Sequence, residues 1–124
     1  MIGAMTNKPP APRPKVVQFR PRPSELEALI RELAKHSRNV RWRAARYESH
    51  AEGRLELREI TDRMMFDVLR TGHIKGEIEA GKYPGEWKVK MCKPMKGQRE
   101  VGVVTIVMKQ KKLFIKTVEW EDVR

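Results

Sequence analysis

At 124 residues, 40% hydrophobic and 35% charged, the chain is long enough to bury one core and too short for two full domains. A formal net charge of +11 favours polyanionic partners: nucleic acid, an acidic protein, or an anionic surface. No run is apolar for long enough to cross a bilayer, so no membrane partner is expected. Cys92 is the only cysteine, which excludes an intramolecular disulfide and suits a reducing cytoplasm. His36, His50, His73 and Cys92 lack metal-ligand spacing, and no glycine-rich phosphate loop occurs, so neither a metal nor another cofactor is expected.

Residues 1–22 read as a flexible basic arm. Pro9, Pro10, Pro12, Pro14, Pro21 and Pro23 favour extended backbone, and Lys8, Arg13, Lys15, Arg20 and Arg22 carry charge. Residues 23–124 then read as a single α+β domain. Ser24 with Glu27 three residues later has the form of a capping box. Leu26, Leu29, Ile30 and Leu33 follow at i, i+3, i+4 and i+7, which predicts a helix running to about His36. Between Asn39 and Tyr47, Val40, Trp42 and Ala44 alternate with arginines, so a strand is assigned there, although the break at Ala44-Ala45 also suits a helix start. Arg38, Arg41, Arg43 and Arg46, interleaved with Trp42 and Tyr47, pair phosphate-binding groups with stacking surfaces; Trp42 equally suits the core.

Thr61 as N-cap, Asp62 in the first turn and Ile60 with Met65 as staple predict another helix, with Met64, Met65, Val68 and Leu69 as its apolar stripe and Gly72 at its end. From Ile74 the period becomes two. Ile74–Ile78 reads as a short strand, and Gly81–Gly85 as a turn. Trp87, Val89 and Met91 then alternate with Lys88, Lys90 and Cys92. Val101, Val103, Val104, Ile106 and Val107 form a nearly continuous apolar run, as expected of the buried centre of a sheet. Leu113–Trp120 closes the chain as the last strand. The expected architecture is helices packed on one side of a four-stranded, mainly antiparallel sheet.

Function concentrates in Ser49–Thr61. On a helix, His50, Arg54 and Arg58 fall at i, i+4 and i+8 and share one face, a titratable imidazole beside two permanent cations. The same spacing suits a solvated face on which Glu52, Glu56 and Glu59 neutralise the arginines.

The pattern His50-Ala51-x-x-Arg54-Leu55-x-x-Arg58-x-Ile60-Thr61, the block Val68-Leu69-Arg70-Thr71-Gly72-His73-Ile74, and the ending Thr105-Ile106-Val107 … Lys116-Thr117-Val118-Glu119-Trp120 resemble domain-of-unknown-function family 4258. That family is similar to RelE-, ParE- and BrnT-type toxins. The resemblance spans about Ser24 to Asp122 and departs between Val40 and His50, where a few extra residues blur the end of the first strand.

It implies a RelE-like fold and a toxin of RNA-directed type, a metal-independent endoribonuclease being one form. Such chemistry needs a base for the ribose 2′-hydroxyl, cations around the phosphorus and an acid for the leaving oxygen. His50 suits either proton role. Arg54 and Arg58 suit charge stabilisation, and Glu119 suits orienting His50 or acting as a base. Arg41, Arg43, Arg46, Lys88, Lys90 and Arg99 are the candidate nucleic-acid contacts. The implied partners are RNA or the ribosome, and a DNA-binding antitoxin; the ParE likeness implies DNA gyrase as another target. A non-catalytic basic module, binding nucleic acid, ribosome or an acidic protein, accounts for the same charges.

Overall fold

The computed structural model describes residues 20–43, 45–48, 60–95 and 99–121. Their elements are α1 (Pro23–Ala34), β1 (Val40–Arg41), β2 (Arg46–Glu48), α2 (Asp62–Thr71), β3 (His73–Ala80), β4 (Trp87–Pro94), β5 (Glu100–Val107) and β6 (Leu113–Trp120). A 3-10 turn at Ser37–Asn39 joins α1 to β1.

The period-two half of the chain forms the expected antiparallel meander β3–β4–β5–β6, with β5 between β4 and β6. Met91 in β4, Val103 in β5 and Val118 in β6 stand in register, and all three are fully buried on the face that meets the helices. Leu26, Ile30 and Ala34 of α1 and Met65, Val68 and Leu69 of α2 complete the same core. Each side chain of this size stabilises the fold by roughly 1.5–3 kcal/mol when fully removed from water, which makes this layer the main cohesive element.

The sheet is wider than four strands and is mixed. β1 and β2 both run parallel to β6, β1 beside Leu113–Phe114 and β2 beside Thr117–Glu119. They fill a fifth strand position in two short pieces, the first ending at Arg41 and the second opening at Arg46, on either side of the place where the sequence alternation slips. Two- and three-residue strands carry too little periodicity to announce their pairing. Only the partner strand β6 decides it.

The helix ends obey different rules. Thr61 caps α2 as expected, its Oγ1 accepting the Met64 N–H at 3.2 Å. At α1 the capping box does not form: Pro23 takes the first helical position and Arg22 is the cap residue, with no side-chain cap bond. Proline has no N–H to satisfy and its φ suits a helix start, so Ser24 lies already inside the helix. Arg20 and Arg22, assigned from sequence to the arm, join the domain. Arg20 donates to the Ile78 carbonyl of β3, and the Arg22 carbonyl accepts the Leu26 N–H.

Released from capping, Glu27 ties α1 to β3. One carboxylate oxygen accepts the Ile74 N–H at 2.8 Å; the other lies 3.2 Å from His73 Nδ1 and 3.3 Å from Arg31. Arg31 donates onward to the Gly72 carbonyl and approaches His73 Nδ1 at 3.1 Å. That nitrogen serves one role at a time: unprotonated it accepts from Arg31, protonated it donates to Glu27.

Burial works against the Glu27 charge, but the Ile74 N–H, His73 and Arg31 outweigh it and hold the carboxyl below its ordinary 4.5. A depressed folded pKa contributes stability that is complete above 4.5 and is lost as pH falls through the lower folded value. Glu27→Gln is therefore expected to lower the unfolding free energy by about 1–2 kcal/mol at pH 7, with the deficit closing under acid. Urea unfolding of both proteins at neutral and acid pH checks this. A deficit that does not change with pH would show that the charge of Glu27 is idle.

Candidate nucleic-acid interface

Strand alternation sends Lys88 and Lys90 of β4, Val104 and Ile106 of β5, and Phe114, Thr117 and Glu119 of β6 to the sheet face opposite the helices. Here the fold brings cations and acids together. Lys90 Nζ lies 2.9 and 3.1 Å from the two carboxylate oxygens of Glu121 and 3.4 Å from Glu119. The bare α-carbon of Gly102 makes room for this cluster. A Cβ there would stand 2.5 Å from Glu121 Oε2.

Burial raises the Glu119 carboxyl above its ordinary value, and the hydrogen bond and repulsion from Glu121 raise it further, against the pull of Lys90. Burial resists the charge of Lys90, but Glu121 and Glu119 outweigh it and raise the ammonium. Glu119 thus holds its proton longest of the two carboxyls, and the pair titrates as a unit. Beside them Cys92 is buried, and desolvation, with Glu121 and Glu100 adding, pushes its thiol up to about 12. It is a packing residue rather than a nucleophile.

The shallow cavity on this face, about 270 Å³, carries balanced charge: Lys75, Lys88 and Lys90 against Glu77, Glu79 and Glu121. Lys75 pairs with Glu100 at 2.8 Å, and Lys88 stands 3.9 Å from Glu79. Such a surface neutralises its own cations and offers little to a phosphate.

The edge beyond β1 differs in kind. A larger cleft, about 600 Å³, is lined by Arg38, Arg41, Arg43, Trp42 and Phe114 together with Ser37 and Val40, and among the described residues no acidic one lines it. A second hollow of about 360 Å³ adjoins it through Ser37 and Arg38, adding Lys35, His36 and Arg70. The arginines and Lys35 are exposed, and Trp42 and Phe114 are half-buried.

This edge is braced from below. Trp42 meets Phe66 of α2 edge-to-face, with ring centroids 5.0 Å apart. The Arg70 guanidinium lies 4.7 Å over the same Phe66 ring and donates through Nε to the Ala34 carbonyl at 2.7 Å. Trp42 is thus both packed against the core and part of the cleft wall.

The expected site residues divide among these places. Arg41 and Arg43 meet at the edge cleft; the backbone of Arg46 lies further along the same edge, opposite Thr117. Lys88, Lys90 and Glu119 lie on the balanced face, and Arg99 lies 4.7 Å over the Trp120 ring. His50, Arg54 and Arg58 lie outside the described residues. Phe114 was not among the candidates, and neither were Arg70 and Glu121. Arg70 follows Phe66 by four on a helix, and Glu121 follows Glu119 by two after a strand, so spacing held a usable signal for both. Nothing in the sequence brings Phe114 into one cleft with Trp42.

Among the described residues no helix is long and apolar enough to cross a membrane. No protein-family model, no curated protein and no solved structure matches this chain. What fold and site define together is an α+β domain whose mixed sheet ends in a cationic, aromatic edge.

Proposed function

We propose that this chain is an RNA-directed protein of toxin type that holds the phosphate backbone along the β1 edge. The observation that carries the reading is the convergence of Arg38, Arg41 and Arg43 on a cleft with Trp42 and Phe114 and, among the described residues, no lining acid. Unopposed cations supply affinity through counterion release, and aromatic faces suit unpaired bases. The resemblance to family 4258 and the RelE-like toxins points the same way. It adds the ribosome as the setting and a DNA-binding antitoxin as the natural partner.

Binding to a single-stranded RNA, followed across a salt series, tests the reading. The slope of log K against log salt should shallow by about 0.7 for each of Arg41→Gln and Arg43→Gln. Lys90→Gln, already compensated by Glu121 and Glu119, should leave the slope as it was. A slope that responds to Lys90 and ignores both arginines would move the interface to the other face.

A second reading, metal-independent RNA cleavage by His50 with Arg54, Arg58 and Glu119, is favoured by one feature. Glu119 carries a raised carboxyl beside Glu121, and its register partner is Glu48, two residues before His50 in the chain. A carboxyl raised above its ordinary value by burial and a neighbouring carboxylate suits general acid or base work.

A further inference from the structure

We infer that the edge cleft seats one unpaired nucleobase against Trp42 and Phe114, with the neighbouring phosphate on the Lys35–Arg38–Arg70 side, so that the domain selects single strands over duplexes. The inference rests on the reading above and adds what is recognised. The cleft volume of about 600 Å³ falls in the range of pockets that enclose a small molecule, roughly 300–1,000 Å³, and exceeds what a phosphate contact needs.

Its walls are of two kinds. Trp42 and Phe114 supply ring surface, and a T-shaped contact with Phe66 engages at most one face of the indole. The adjoining hollow is polar and cationic, and Arg38 is shared between the two. A cleft that sets two rings among its arginines and opens into a cationic hollow matches a nucleotide, base against the rings and phosphate in the hollow. The Ala34 carbonyl and the Phe66 ring hold the Arg70 guanidinium in place, so little freedom is left to lose on binding. A duplex keeps its base faces stacked inside the helix and cannot fill the cleft, whereas a single strand can.

The test uses the full chain and three probes of equal length at one salt concentration: a single-stranded RNA, the same RNA annealed to its complement, and an abasic phosphodiester. The single strand should bind about tenfold more tightly than the abasic chain, a gap of one stacked base. Trp42→Leu, which keeps an apolar group against Phe66, should erase that gap. Phe114→Leu should narrow it, and carries the test should the Trp42 variant not fold.

Equal affinity of the wild type for base-bearing and abasic probes would overturn the base seat yet leave phosphate holding intact. So would a duplex bound as tightly as the single strand. Failure of every probe to bind, or binding indifferent to Arg41→Gln and Arg43→Gln, would instead remove the RNA-directed reading itself.

Discussion

Gly72→Ala is expected to destabilise the protein by about 3 kcal/mol, a fall in Tm on the order of 10–20 °C for a domain of this size. Gly72 ends α2 with φ −84°, so the reason is not a left-handed turn. A Cβ at this position would stand 2.5 Å from the Val68 carbonyl oxygen and 2.7 Å from that of Cys92. Both obstacles are backbone, one in α2 and one in β4, and neither can rotate away. Relief would require parting the helix from the sheet where the Gly72 N–H bonds Val68 and its carbonyl accepts from Arg31.

Gly76 is the control. Its φ is +86°, but a Cβ there meets nothing within 4 Å. Gly76→Ala should therefore show only the left-handed penalty of about 1–2 kcal/mol. Thermal melts of the two variants give the comparison. A Gly72→Ala protein melting within a few degrees of wild type, or below which Gly76→Ala melts, would contradict the tight α2–β3–β4 junction.

The largest functional effect is expected at His50. On the cleavage reading, His50→Gln should leave Tm unchanged and reduce RNA cleavage by about 10²–10⁴-fold, the usual contribution of a positioned proton carrier. Arg54→Ala and Arg58→Ala should each reduce it by about 10²–10³-fold if they stabilise charge developing at phosphorus. Where the three residues are structural instead, the order reverses. Each variant loses about 1–3 kcal/mol of stability for a buried partner left unsatisfied, and activity follows only the folded fraction. Melting and cleavage measured on the same three variants separate the cases. A wild type that binds RNA without ever shortening it would end the cleavage reading and leave the β1-edge interface standing, since that rests on different residues.

The binding and cleavage readings rest on different stretches of the chain. The arginine run at 38–46 was legible as a cationic segment because its charges are dense and close in the chain. Lys88 and Lys90 looked equally suitable, being strand cations on a solvent face. What the chain order hid is that β6 delivers Glu119, with Glu121 just beyond it, to Lys90, while β3 delivers Glu79 to Lys88. Cross-strand neighbours decide whether a lysine is available, and spacing along one strand carries no record of them.

The sequence by itself determined the features whose physics is local. The stripe Leu26–Ile30, the Thr61 cap, the end of α2 at Gly72 and the central place of Val101–Val107 all follow from contacts between residues two to four apart or from an unbroken apolar run. The meander followed as well, since short turns leave neighbouring strands little choice but antiparallel pairing. Tertiary structure alone decided the rest. β1 and β2 join β6 in parallel across a long stretch of chain, and Glu27 abandons a local cap for the Ile74 N–H of β3. It also brought Phe114 into the lining of the same cleft as Trp42, so that the arginines surround a cleft rather than a flat edge. Each of these is a choice among distant partners of similar local merit, settled by which arrangement buries the one core without stranding a charge or a hydrogen bond.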